Sequence, residues 1–309
     1  MDWSPNRCSC DFGAPADPLF EVADINFRAV PATGIMVRCP LCGSLFPDRF
    51  PMPDSVEAAY DGYYIASAGG RRRGPRRWIG RLMDRSRRDY LTRDLPPYAR
   101  RVLDFGCGSG AFLIAIEAAR PDLALFGTDL GPRPGVGAFR WLAPEAIAEG
   151  APYDWITLGH VLEHHADPRA LLNQLAGSLG PGGGLWIATP NAESFLIETA
   201  GPWARDIDFP RHREIFTRAG LTRLLEACGL EPSFRSPPRV NAILNTLTTL
   251  KNLRIGEAAN RGTRARRAVA SLFALALHML SPAAARAGKS PELVLICRKR
   301  GDGGPLDAR

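Results

Sequence analysis

A chain of 309 residues, 45% hydrophobic and 23% charged, holds enough apolar material for one large core or two ordinary ones. That excludes a disordered tail protein, a collagen-like chain and a disulfide-stapled miniprotein. The net charge of +7 is the balance of two basic segments on an acidic body: residues 71–101 carry 12 Arg against 3 Asp, and residues 251–300 carry 11 basic against 2 acidic residues. Such segments suit an anionic partner such as phosphate, nucleic acid or lipid headgroups, or simply form a solvated Arg-rich surface. No apolar run approaches the roughly 18 residues of a membrane span. The start, Met1-Asp2-Trp3-Ser4-Pro5, lacks the basic and apolar regions of a secretory signal, so the expected location is the cytoplasm.

In chain order, residues 1–50 hold four of the seven cysteines. Residues 51–97 read as a linker with an aromatic patch (Tyr60, Tyr63, Tyr64) and the first basic segment, 98–300 as the main domain and 301–309 as a flexible tail. Near residue 101 short apolar runs begin to alternate with helical patterns, the texture of a parallel α/β sheet. Residues 102–105 predict a strand that enters a glycine-rich turn, and 111–120 a helix stopped by Pro121. Further strands are expected at 124–128, 155–158, 185–188 and 293–296. Asp167 as N-cap with Pro168 behind it opens a helix expected to reach Gly180. Thr217 caps another, with Leu221, Leu224 and Leu225 on one face and Gly229 closing it. The segment 232–290 breaks the alternation with two apolar helical stretches, 240–253 and 268–280, around an Arg-rich loop. They read as lid or core helices, and the second has the length and flanking arginines to lie on a membrane surface.

The turn Gly106-Cys107-Gly108-Ser109-Gly110 between a strand and a helix is a ligand site: glycines admit a ligand close to the backbone, and helix-start N–H groups favour an anion. Asp129, about 20 residues on at a strand end, is placed to accept from ribose hydroxyls. A nucleoside-bearing cofactor follows. Read as Gly106-x-Gly108-x-x-Ala111, the loop also fits a dinucleotide fingerprint, but a carboxylate at Asp104 would repel a pyrophosphate and attract a cationic amine.

The run Val102-Leu103-Asp104-Phe105-Gly106-Cys107-Gly108-Ser109-Gly110 closely resembles motif I of class I S-adenosylmethionine-dependent methyltransferases. Three later segments match the same family in order: residues 153–164, which end in Val161-Leu162-Glu163-His164; Leu179-Gly180-Pro181-Gly182-Gly183-Gly184; and Phe209-Pro210-Arg211-His212 followed by Phe216-Thr217. The resemblance covers about residues 98–231 and 293–297. It implies a Rossmann-like, mostly parallel seven-stranded sheet with flanking helices, a helical insert before the last strand, and S-adenosylmethionine as cofactor. By the same resemblance Asp104 holds the methionine amino group, the loop of Gly106, Cys107, Gly108 and Gly110 receives the methionine portion, and Asp129, Leu130 and His160 complete the pocket. The family places a full helix and a third strand between Asp129 and Tyr153; here only 23 residues intervene, so that helix is short or missing, and Glu145 is the candidate acid for the adenine.

Glu163, His164 and His212 are the candidate catalytic residues, with His212 either a general base for a hydroxyl acceptor or a residue that orients the substrate. Methyl transfer needs chiefly in-line positioning, which makes a dedicated base optional. In the similar ubiquinone-pathway O-methyltransferases, acids and a His at this motif bind a divalent metal; here His160 occupies the first of those positions, which disfavours a hard cation. Cys8-x-Cys10 and Cys39-Pro40-Leu41-Cys42-Gly43 make two cysteine pairs 28 residues apart, suited to a tetrahedral zinc site, although one residue rather than two separates the first pair. Some similar bacterial methyltransferases carry such a zinc-ribbon-like module. Cys107, Cys228 and Cys297 read as core or loop thiols. The expected acceptor is a small molecule (a sugar, lipid-linked glycan or secondary metabolite), with anionic or membrane-surface contact through the Arg segments. The rivals are a nucleic-acid methyltransferase that uses the cysteine module and arginines to hold phosphates, a cofactor-binding relic without turnover and, last, a dehydrogenase.

Overall fold

A computed structural model describes residues 3–10, 16–51, 92–131, 137, 139–257, 265, 268, 269, 272 and 288–301. The tyrosine patch, the arginines of 71–88, most of the helical stretch 268–280 and the tail after residue 301 lie outside the described residues.

The N-terminal part supplies β1 (Trp3–Pro5), β2 (Asp17–Ala23), β3 (Thr33–Arg38), β4 (Leu45–Pro47) and β5 (Arg49–Pro51). Strands β2, β3 and β4 form an antiparallel sheet, and β1 pairs with β5. The main domain follows with β6 (Arg101–Phe105), α1 (Ala111–Ala119), β7 (Ala124–Thr128), β8 (Arg140–Trp141), β9 (Tyr153–Gly159), α2 (Pro168–Ser178), β10 (Leu179–Pro190), α3 (Phe195–Ala200), α4 (Arg218–Ala227), β11 (Leu230–Arg235), α5 (Arg239–Glu257) and β12 (Glu292–Lys299).

Among the described residues, seven strands form one sheet in the order β11-β12-β10-β9-β6-β7-β8, with β12 antiparallel to both neighbours. The Rossmann-like expectation holds. Alternate residues of each central strand feed two cores, as a sheet covered on both faces requires. Leu103, Ile156, Ile187 and Leu295 meet Leu171, Leu172 and Leu175 of α2 and Leu221, Leu224 and Leu225 of α4. Val102, Trp155, Trp186 and Val294 meet Leu113 and Ile116 of α1 on the opposite face. The parallel strands therefore end at one edge, and Asp104 with its glycine loop, Asp129 and residues 160–164 lie along it.

Two boundaries differ from expectation. The helix expected to reach Gly180 stops at Ser178, because Leu179 already pairs with Tyr153; Gly180, Pro181, Gly182 and Gly183 form a bulge inside β10, with Gly182 at φ +69. The insert begins after residue 235, since β11 pairs with β12 through Arg235↔Val294. Pro232 is tolerated there because β11 is an edge strand and needs no second set of ladder bonds. The interval after Asp129 holds a two-residue β8 and a 3-10 turn, Pro144–Gly150, where Glu145 is exposed. Among the described residues no helix is long and apolar enough to cross a membrane.

The N-terminal sheet does not stand apart. Val22, Met36 and Leu45 share a core with Ile197 and Ala200 of α3, Ile207, Phe209, Ile215 and Leu253 of α5. This shared core places the cysteine-bearing module directly behind the segment that carries His212.

Candidate active site

Strand β6 delivers Asp104 to the sheet edge, and the chain then turns through Gly106 (φ +78) and Gly108 (φ +53) into Gly110, the N-cap of α1. A Cβ on Gly106 would overlap the Val161 side chain, whereas one on Gly108 would meet nothing within 4 Å. Gly106 is thus required by packing, and Gly108 opens onto free space where a ligand can approach the backbone. Asp129 closes the loop from the end of β7: its carboxylate accepts from Gly108 N and Gly131 N, both at 2.8 Å. Leu130 beside it is 88% exposed. Asp104 is buried and accepts from Thr157 Oγ1 at 2.7 Å. Burial, with the nearby Asp129 carboxylate adding to it, pushes Asp104 up to about 7. Cys107 is a buried thiol raised to about 12 by burial and by these two acids, so it contributes shape rather than a nucleophile.

At the end of β9, His160 adopts φ +59, a left-handed conformation rare for a side-chain-bearing residue. Its ring lies between two buried carboxylates, with Nδ1 at 3.3 Å from Glu163 and Nε2 at 3.2 Å from Glu292. Burial opposes its charge, but the two glutamates outweigh that and raise His160 to about 10, an imidazolium at neutral pH. Glu163 is fully buried; His160 outweighs the burial and pulls it down to about 2, while Thr189 Oγ1 donates to its other oxygen at 2.9 Å.

His164 and His212 stack edge to face with centroids 4.7 Å apart, and His212 Nε2 is 4.0 Å from both Glu163 and Asp208. Each ring directs Nδ1 at a backbone carbonyl: Arg211 O at 3.0 Å for His164 and Asp206 O at 2.8 Å for His212. A carbonyl only accepts, so each ring carries a proton on Nδ1. Burial and the neighbouring His164 lower His212 to about 4, so it is neutral near pH 7. Glu163, His164 and His212 offer ligand atoms within 4.8 Å of one another. Both Glu163 oxygens already hold hydrogen-bond partners, so the arrangement present is an acid–imidazole cluster.

Residues 71–233 match the model of a methyltransferase domain, more than half of the chain. The chain belongs to the methyltransferase-domain family. The ubiquinone biosynthesis O-methyltransferase of Aeromonas salmonicida is 30% identical over 153 residues, 43% of this chain and 63% of that protein. Its counterpart in Dinoroseobacter shibae is 32% identical over 182 residues, 49% of this chain and 73% of that one. The counterpart in Paracidovorax citrulli is 32% identical over 124 residues, 34% of this chain and 51% of that one, so the chain spans between half and three quarters of the length of these curated relatives. Among solved structures, the plantazolicin methyltransferase BpumL, in complex with a pentazolic desmethylPZN analog and SAH, aligns with TM-score 0.47 at 16% identity, over 80% of this chain and 94% of that one. The dinucleotide reading of the glycine loop gives way to the methyltransferase one. The residues present also fit S-adenosylmethionine: a buried carboxyl raised toward neutrality is better satisfied by a cation, and the open backbone at Gly108 lies beside it.

The methyltransferase domain carries its cysteine module on the far side of the His212 segment. Cys8, Cys10, Cys39 and Cys42 bring their sulfurs within 4.8 Å of one another, with Cys8–Cys42 at 3.3 Å and Cys10–Cys39 at 3.4 Å. The bond between the two thiols lowers Cys42, while Cys8 is raised by the same bond and by burial. Four converging sulfurs form a donor set for a tetrahedral zinc ion despite the irregular Cys8-x-Cys10 spacing.

Sequence reading missed the buried supports of this site. Glu292 opens β12 and holds His160; its signal was a lone acid ahead of an apolar strand that enters from the ligand edge. Arg211 is fully buried between Asp24, from the N-terminal module, and Asp208 at 3.0 Å. Helix α5 was expected to present apolar residues, but it faces the cluster with polar ones. Asn241 donates to Glu292 at 3.0 Å, Asn245 to Asp206 at 3.2 Å, and Thr249 Oγ1 accepts from Arg205 N at 3.0 Å. Ile243 and Leu247 lie exposed on its outer side.

Proposed function

We propose that the protein binds S-adenosylmethionine over the glycine loop and transfers its methyl group to a small-molecule acceptor seated at the Glu163–His164–His212 cluster. The observation that carries this reading is the buried Asp104 carboxyl next to the open backbone of Gly108 and the Asp129 carboxylate. When bound, S-adenosylmethionine supplies an electrophilic methyl on a cationic sulfur. Asp104 would hold the ammonium of the methionine portion, Asp129 the ribose hydroxyls, and Leu130 would cover the nucleoside. His212, neutral with its Nε2 lone pair turned toward Glu163, accepts a proton from a hydroxyl acceptor. The imidazolium that results gains from the Glu163 and Asp208 carboxylates 4.0 Å away. Helix α5, tied down through Asn241 and Asn245, shields the cluster from water, which suits a small acceptor better than a polymer.

The four clustered cysteines hold structural zinc in this proposal, and seven free thiols suit the reducing cytoplasm. The exposed Ile243 and Leu247 on α5, near Lys251 and Arg254, support contact of this face with an anionic or membrane surface. Calorimetric titration with S-adenosylmethionine, with NAD as the comparison ligand, tests the central claim. Micromolar binding of the methyl donor, abolished by Asp104→Ala or Asp129→Ala, is expected. Binding of NAD in its place would overturn it.

A further inference from the structure

The segment from Arg211 to Thr217 runs between two walls. On its inner side Arg213 N and Glu214 N both donate to the Glu163 carbonyl, at 2.7 and 3.3 Å, while His212 faces Glu163 and His164. On its outer side the N-terminal module grips it almost residue by residue. Asp24 pairs with Arg211, and Asn6 Nδ2 donates to the Arg213 carbonyl at 2.7 Å. Leu45 and Ile215 exchange two backbone bonds at 2.9 and 2.7 Å, and Thr217 Oγ1 donates to the Cys42 carbonyl at 2.6 Å.

Glu214 is the member of this segment whose side chain lies against a cysteine sulfur. It is 4% exposed. One carboxylate oxygen lies 3.3 Å from Cys8 Sγ, a bond open to the protonated thiol, and the other accepts from Ser9 N at 2.9 Å, a bond that survives when Cys8 ionises to ligate a metal; both cross more than 200 residues of sequence. A buried carboxylate is expensive unless it is bonded, and its side-chain partners here come from the loop that carries the first cysteine pair. The position of that loop therefore sets the position of Glu214, and the backbone of Glu214 bears on Glu163 two residues from His212. A metal ion drawing four thiolates to fixed bond lengths makes the loop rigid; without it the loop rests on hydrogen bonds and on the packing of its cysteines with Val37 and Phe46.

We propose that Glu214 is a positioning residue through which the metal-loaded cysteine cluster fixes His212 against Glu163 and His164. The N-terminal module is then the outer half of the acceptor-site wall, and zinc on its far side sets the geometry of the proton acceptor proposed above. This rests on the zinc reading above and not on the identity of the methyl donor or acceptor.

The test uses the full-length protein labelled with ¹⁵N-histidine, whose five histidines give resolvable imidazole signals, assigned by single His→Asn variants. Zinc content, circular dichroism and imidazole spectra are recorded before and after treatment with a chelator. The expected result is one zinc per chain, retention of secondary structure on its removal, and displacement of the His212 and His164 signals. His165, whose Nδ1 bonds within its own turn to Asp167, stays in place. In Glu214→Ala the protein still holds zinc, but His212 already sits at the stripped position and no longer responds to the chelator; Glu214→Gln, which keeps an acceptor for Ser9 N, restores most of the response. Zinc lost with His212 unmoved, or a Glu214→Ala spectrum identical to the wild type, overturns the proposal. So does a stripped protein without secondary structure, which would make the metal a folding requirement only. A protein that binds no zinc overturns both this proposal and the zinc reading, and leaves the methyltransferase reading untouched.

Discussion

Asp104→Asn removes a charge from the interior while it keeps the shape and the acceptor for Thr157 Oγ1. Burial raises this carboxyl from its ordinary 3.8 to about 7. The folded protein therefore binds the proton more tightly than the unfolded chain does. Stability that is present below pH 4 is lost as pH rises through the folded-state value, and the loss levels off above it. At about 1.4 kcal/mol per pH unit the full cost is about 4 kcal/mol. The Asn variant has no charge to desolvate, so its advantage over the wild type is near zero at pH 4 and grows to about 4 kcal/mol by pH 8. For a chain of this size that corresponds to a melting point higher by roughly 8 °C at pH 8. The same change removes the group proposed to hold the cofactor's ammonium. Addition of S-adenosylmethionine should raise the wild-type melting point and leave that of the variant unchanged. Differential scanning fluorimetry across pH 4 to 8, with and without the cofactor, reads both effects. A gap between the proteins that does not vary with pH, or a variant that responds to the cofactor as the wild type does, refutes the reasoning.

The two loop glycines separate packing from binding. Gly106→Ala must push the Val161 side chain aside at a positive φ and is expected to lose about 2 kcal/mol or more in urea unfolding. Gly108→Ala meets no neighbour, so it should cost only about 1 kcal/mol of backbone strain yet cut cofactor affinity at least tenfold by calorimetry. Arg211→Met leaves Asp24 and Asp208 buried without their shared cation, and a loss of about 3–5 kcal/mol is expected; adding Asp24→Asn should recover part of the urea midpoint. His212→Asn is expected to leave cofactor affinity intact and lower kcat for a hydroxyl acceptor by about 10²–10⁴. An unchanged kcat would assign His212 to substrate orientation alone.

The strands of the ligand edge and their loop were legible because their signals are local. A run such as Val102-Leu103-Asp104-Phe105 states its period and its burial within five residues, and Gly106 and Gly108 announce positive φ by their identity. The caps Asp167 and Thr217 bond within three residues of themselves, so they too could be read directly. Boundaries set by strand pairing were less legible. Nothing within residues 176–184 says that Leu179 will find Tyr153, or within 230–235 that an edge position will excuse Pro232.

The sequence alone determined the fold class, the glycine loop with its two flanking acids, and the pairing of two cysteine motifs, since each depends on spacing along the chain. Tertiary structure decided what holds His160, where His212 points, and why residues 1–51 belong to the site. Those outcomes depend on buried charges: Glu292 for His160, Asp24 and Asp208 for Arg211, Cys8 and Ser9 for Glu214, each reached from a distant part of the chain. A buried charge leaves no periodicity in the sequence around it. Its partner is chosen by which elements the folded core brings within a few ångströms, and only the packed structure contains that information.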